Sequence, residues 1–107
     1  MNDSRAGQVA VIFTSQRNGR DEAGYGAAAA AMETLAEAQP GYRGIVSARG
    51  SDGFGITVSY WADDAAARAW RDQPDHALTR EAGRARWYDG YTVTVAEVRR
   101  DYDWSVP

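Results

Sequence analysis

The sequence predicts an α+β domain, a ferredoxin-like βαββαβ fold with one antiparallel four-stranded sheet. Three observations carry this. Four short runs have the β-branched content or two-residue alternation of strands. Two alanine-rich regions have the three- and four-residue spacing of helices. An Asp-Gly turn at Asp52-Gly53 joins the middle two strands as a hairpin. A hairpin at the centre with helical crossovers on either side is the ferredoxin-like order. At 107 residues the chain fits one domain. Its expected extent is 8–104, with a loose leader at 1–7 and a short tail at 105–107.

Val9-Ala10-Val11-Ile12-Phe13 is apolar on both faces and suits a strand covered on both sides. Asn18-Gly19 marks the turn after it. Asp21 or Glu22 opens the first helix, expected from Glu22 to Ala38, where acids favour the start. Its apolar stripe is Ala28, Ala31, Met32, Leu35 and Ala38, and Pro40-Gly41 ends it. The five-alanine run Ala27–Ala31 reads as high helix propensity and close helix–sheet approach. Tyr42 to Arg49 is the second strand. Gly55 to Trp61 alternates strictly and is the third. Ala62 to Arg71 makes a helix with Asp63 or Asp64 as cap. Pro74 interrupts it, and Asp75 can cap a further short helix from His76 to Ala85, weakened near its end by Gly83. Tyr88 to Arg99 alternates again and is the fourth strand. Asp101 to Pro107 trails from it with Tyr102 and Trp104.

Composition excludes whole classes of chemistry. All 12 basic residues are arginine, so no lysine-dependent step is open to the chain. There is no cysteine, which removes thiol catalysis, iron–sulfur clusters and disulfides. A single histidine rules out a multi-histidine metal site within one chain. The net charge of −3 argues against nucleic acid as a partner. No apolar run approaches the ~20 residues that span a bilayer, and Met1 to Gln8 lacks a signal-peptide apolar region. A cytoplasmic protein without membrane contact is expected. What remains for acid–base or redox work is His76, the carboxylates, and ten Trp or Tyr rings, four plus six.

One sheet face is covered by helices in this fold, and the other must meet solvent or another sheet. Ile56, Val58 and Tyr60 form one face of the third strand, and Thr57, Ser59 and Trp61 the other. The first strand has no polar face. A sheet apolar or small on both sides at its centre points to a homodimer with two sheets packed face to face.

With these elements in place, the chain resembles the antibiotic biosynthesis monooxygenase family of dimeric α+β barrel proteins, which includes small haem-degrading monooxygenases. The matching residues are Val9–Phe13, Gln39-Pro40-Gly41-Tyr42-Arg43-Gly44 and Gly55–Trp61. Trp70, His76 and the run Gly83-Arg84-Ala85-Arg86-Trp87-Tyr88 leading into Tyr91 complete the match. The resemblance implies a homodimer with a central barrel and a pocket between sheet and helices in each subunit. It also implies oxidation of a flat aromatic, phenolic or polyketide-like substrate with O2 and no bound cofactor. Haem is a possible substrate or ligand, since the haem-degrading members hold it through a histidine of the second helical region. A non-catalytic dimer that binds a small aromatic ligand is the remaining alternative.

Under that resemblance, His76 is the candidate base for a phenolic proton or an axial haem ligand; it could equally cap a helix beside Asp75. Trp70 joins it as the second catalytic candidate. Trp61, Trp70 and Trp87 are candidate walls for a flat ring, or core fillers. Arg80 and Arg84, four apart on one helix face, could hold a carboxylate, propionate or phenolate oxygen, or pair with Glu81, Asp75 or Asp89. Tyr60, Tyr88 and Tyr91 could hydrogen-bond a substrate carbonyl, and Tyr25 could close the pocket mouth. Phe13 completes the binding set. No metal ligands are expected. Asp21-Glu22 and Asp63-Asp64 read as helix starts, and Gly50–Gly55 as a hairpin, because it joins two strands.

Overall fold

The computed structural model describes residues 4–107. The leader expected over 1–7 therefore lies partly outside the described residues. Within them, Ser4 and Arg5 are tied to Asp101 at the other end of the chain. The elements are β1 (Val9–Arg17), α1 (Glu22–Glu37), β2 (Tyr42–Arg49) and β3 (Phe54–Trp61), then α2 (Asp64–Asp72), α3 (Pro74–Arg86) and β4 (Tyr88–Glu97). The strands form one antiparallel sheet in the order β2-β3-β1-β4, the ferredoxin-like topology.

β1 outruns its apolar core. Ser15, Gln16 and Arg17 are polar in sequence, yet they pair with β3 or β4. Ser15 and Arg17 can stay in the strand because most of their polar atoms find partners. Arg49 donates to Ser15 Oγ at 3.2 Å, and Arg17 donates to the Trp87 carbonyl at 3.0 Å and to Glu22. β4 stops at Glu97, two residues short of expectation.

Asp21 caps α1 from the left-handed region, at φ 52°, and its carboxylate accepts from the Gly24 N–H. The buried stripe of α1 is rotated from the expected one. Ala36 is buried and Met32 and Leu35 pack beside it, whereas Ala31 and Ala38 face outward. Asp63 caps α2 as expected, with its carboxylate accepting from the Ala66 N–H. The cap of α3 is a correction. Gln73, not Asp75, accepts from the His76 N–H, and Pro74 begins the helix at its first turn, where the missing N–H costs nothing.

Side chains alternate across the sheet. Val9, Val11, Phe13 and Ser15 pair with Trp61, Ser59, Thr57 and Gly55 of β3 on the helix-facing side, and Arg17 pairs with Tyr88 of β4. The main core lies there: Val9, Ala36, Trp61, Ala67 and Trp70, with Val11, Met32, Leu35, Tyr42 and Ala66 packed against it. The opposite face carries Ala10, Ile12 and Thr14 beside Ile56, Val58 and Tyr60. On it Val46, Phe54 and Ile56 stand exposed.

Gly41 and Gly83 permit two close approaches. Gly41 has φ +83°, and a Cβ there would sit 2.5 Å from the Ala66 Cβ. A Cβ on Gly83 would come within 2.8 Å of the Tyr88 ring. The glycine that weakens α3 is thus what lets β4 start beneath it.

Candidate active site

A cavity of about 840 Å³ lies between the helix-facing side of the sheet and the three helices. That volume falls in the range of small-molecule sites. Val11 and Phe13 of β1, Ser47 of β2 and Thr57 and Ser59 of β3 contribute sheet residues, with Tyr91, Val93 and Val95 of β4. Tyr25, Ala28 and Met32 of α1 line it opposite, joined by Trp70, His76, Arg80, Arg84 and Trp87.

At one end stands a column of three flat rings. Trp61 stacks on Trp70 with centroids 5.7 Å apart, and Trp70 stacks on His76 at 4.0 Å with planes 9° apart. Trp61 is fully buried, and its indole N–H donates to Ser59 Oγ at 2.9 Å. Trp70 thus packs against two rings, Trp61 and His76, and also lines the cavity beside the histidine.

The carbonyl of Trp70 lies 2.8 Å from His76 Nδ1. A carbonyl only accepts, so Nδ1 carries the proton and Nε2 keeps its lone pair. Burial pushes the imidazole below its ordinary 6.5, and the positive charge of Arg80 works in the same direction. The bond to the Trp70 carbonyl opposes both. The side chain is thus held neutral near pH 7, in one tautomer, at the cavity wall. An axial haem ligand would use the same Nε2.

The other end is aromatic and cationic. Phe13 meets Tyr88 and Tyr91 at 5.6 and 5.2 Å, and Tyr25 meets Trp87 and Tyr88 edge-on at 5.9 Å. Arg84 Nε donates to the Tyr91 hydroxyl oxygen at 2.5 Å, which leaves the Tyr91 proton free to be donated elsewhere. Burial, then Tyr25, raises the Tyr88 hydroxyl pKa, so it stays a neutral donor. Arg49 donates to the Tyr25 hydroxyl at 2.8 Å, and the Arg17 guanidinium lies 4.0 Å from the Tyr25 ring centroid. Trp87 is pinned by a 3.2 Å bond from its indole N–H to Asp21.

His76, Arg80 and Arg84 are four apart and share one face of α3, so they span roughly 12 Å along the cavity. Of the residues singled out in the sequence, Phe13, Tyr25, Trp70, His76, Arg80, Arg84, Trp87, Tyr88 and Tyr91 line the cavity. Two do not. Trp61 is sealed behind Trp70. Tyr60 alternates onto the opposite sheet face, where the Arg5 guanidinium sits 3.9 Å from its ring centroid. Sequence reasoning missed Gln73 and Arg17, which hold the site from behind, and Ser59, which lines the cavity and accepts from the Trp61 indole. Only the Gln-Pro pair at the start of α3 offered a signal, as a polar cap before a first-turn proline.

A family model described as antibiotic biosynthesis monooxygenase matches residues 8–82. The chain belongs to the antibiotic biosynthesis monooxygenase family. It is 47% identical over 91 residues to the uncharacterized protein YqjZ of Bacillus subtilis (strain 168), covering 85% of this chain and 79% of that one. Its fold is similar to that of SnoaB, a cofactor-independent oxygenase from Streptomyces nogalater. The TM-score is 0.76 at 20% identity, over 90% of this chain and 97% of that one. Rv0793 of Mycobacterium tuberculosis is similar at TM-score 0.74 and 20% identity, over 92% and 99% of the two chains. Family membership supports a small monooxygenase-like function.

Proposed function

We propose that the protein oxidises a flat phenolic substrate with O2, without a bound prosthetic group, and that His76 Nε2 is the base. The observation that carries this is the neutral His76, its proton locked on Nδ1 by the Trp70 carbonyl, at the wall of an aromatic cavity. Nε2 takes the phenolic proton, and the electron-rich phenolate is what O2 attacks. The balance closes without a reductant. A phenol with a free para C–H plus O2 gives a quinone plus water, so the substrate supplies all the electrons. Tyr91, polarised by Arg84, donates to the substrate oxygen remote from His76, and the rings of Phe13, Tyr25 and Trp87 keep water from the reacting carbon.

The same reading includes a homodimer. It is supported by the exposed Val46, Phe54 and Ile56 on the sheet face away from the helices. The expected sedimentation mass is twice 11.7 kDa at micromolar concentration.

The test is aerobic incubation with a panel of phenols and hydroxyaryl ketones, following quinone absorbance and O2 uptake. One O2 consumed per quinone is expected, and His76→Gln should lose about 10²–10⁴-fold. No turnover across the panel, or turnover indifferent to His76→Gln, defeats the reading. A haem Soret shift lost in His76→Gln would favour haem as the ligand instead.

A further inference from the structure

The second half of β4, residues 92–97, is bare on both faces. Val93 and Val95 line the cavity yet are 49% and 54% exposed, and Thr92, Thr94 and Ala96 on the other side are exposed as well. The cavity is therefore open along this strand. The chain also carries an unplaced apolar segment. Tyr102, Trp104 and Val106 recur every second residue, as along one face of a strand, and are 88%, 79% and 78% exposed.

The segment is directed away from its own cavity. Past β4, the Gly7 N–H donates to the Val98 carbonyl at 2.8 Å and the Val98 N–H to the Gln8 carbonyl at 2.9 Å. The Asp101 carboxylate then accepts from Ser4 Oγ and the Arg5 N–H, both at 2.8 Å. Residues 98–101 thus continue the line of β4 past the start of β1, whereas Tyr91 and Val95 lie back along the strand. Six residues follow Asp101, reaching up to ~20 Å. Tyr91 to Val95 spans roughly 14 Å.

We infer that the C-terminal segment of a second copy closes this cavity, with Tyr102, Trp104 and Val106 laid against Tyr91, Val93 and Val95. Each site is then incomplete without the other chain. The inference rests on the two-copy reading above but not on the oxygen chemistry.

The chain has no cysteine, so crosslinks can be placed without background. Val95→Cys and Trp104→Cys, purified separately, mixed and mildly oxidised, should give a disulfide-linked species of twice 11.7 kDa holding one of each. A disulfide requires Cα atoms within about 7 Å. Truncation after Asp101 should weaken binding of anilinonaphthalene sulfonate about tenfold, as expected when apolar cover is lost. A mixed species no more abundant than self-linked ones overturns the inference. So does a monomer-mass intramolecular disulfide in the double variant, or probe binding indifferent to truncation. Sedimentation separates the failures. A dimer without the mixed crosslink defeats only the tail, a monomer defeats both, and phenol turnover is read independently.

Discussion

The His76 imidazole lies flat on the Trp70 indole, centroids 4.0 Å apart, and its Nδ1 bonds the carbonyl of the same residue at 2.8 Å. One tryptophan therefore sets both the plane and the tautomer of the histidine. It can do so because the chain leaves the helix at Gln73 and Pro74 starts a new one, which brings His76 beside the last turn of α2.

Activity that depends on neutral His76 should rise with pH through an apparent pKa below 6.5. Arg80 faces the same ring and lowers its pKa, so Arg80→Met should move that midpoint upward. The pH profile of kcat/KM reads it, and an unmoved midpoint would assign the titration to another group.

Stability should follow the same proton. The folded pKa of His76 is depressed, so below 6.5 the unfolded chain binds the proton more readily. The contribution is complete above 6.5 and is lost as the pH falls toward the folded pKa. Urea midpoints between about pH 5 and pH 8 should decline on the acid side, and His76→Gln should flatten that decline.

Gly83→Ala gains about 1 kcal/mol in helix propensity but drives a Cβ to 2.8 Å from the Tyr88 ring. Overpacking of this kind costs about 1–3 kcal/mol, so net destabilisation is expected. Pairing it with Tyr88→Leu should recover part of the loss in a double-mutant cycle. Additive losses would contradict the contact.

Trp61→Ala should cost about 3–5 kcal/mol, since the ring is fully buried and anchored to Ser59. Trp61→Phe should cost less but loosen Trp70. In this variant kcat should fall more than KM changes. Intact kcat would show that the column does not position His76.

Arg17 is buried, with Nε unpartnered, while its acid partner Glu22 is largely exposed. Arg17→Met removes the cation but leaves the Trp87 carbonyl without its donor, so a loss of about 1–3 kcal/mol is expected. Thermal unfolding measures it, and unchanged stability would mean that water replaces the guanidinium.

The strand runs, the helix regions, the Asp-Gly hairpin and the bare outer sheet face were legible in the residues, because period and turn chemistry are local properties. The alternation of β3 even separated Tyr60 from Trp61, although both were candidates for one pocket. The extension of β1 through Arg17 was not legible. Polar residues stay in a buried strand only when distant groups satisfy them, here Arg49, Glu22 and the Trp87 carbonyl.

By itself, the sequence restricted the chemistry to one histidine, arginines and aromatic rings, since absent lysine and cysteine cannot be supplied by folding. Only the tertiary structure decided which neighbours those groups meet. Trp70 meets Trp61 from β3 and His76 from α3, two ring contacts made by separate elements. The proton of His76 went to Nδ1 because α3 brings that nitrogen within 2.8 Å of a carbonyl in α2. Such pairings depend on how separate elements dock, and a side chain's own type does not encode which neighbour it will meet.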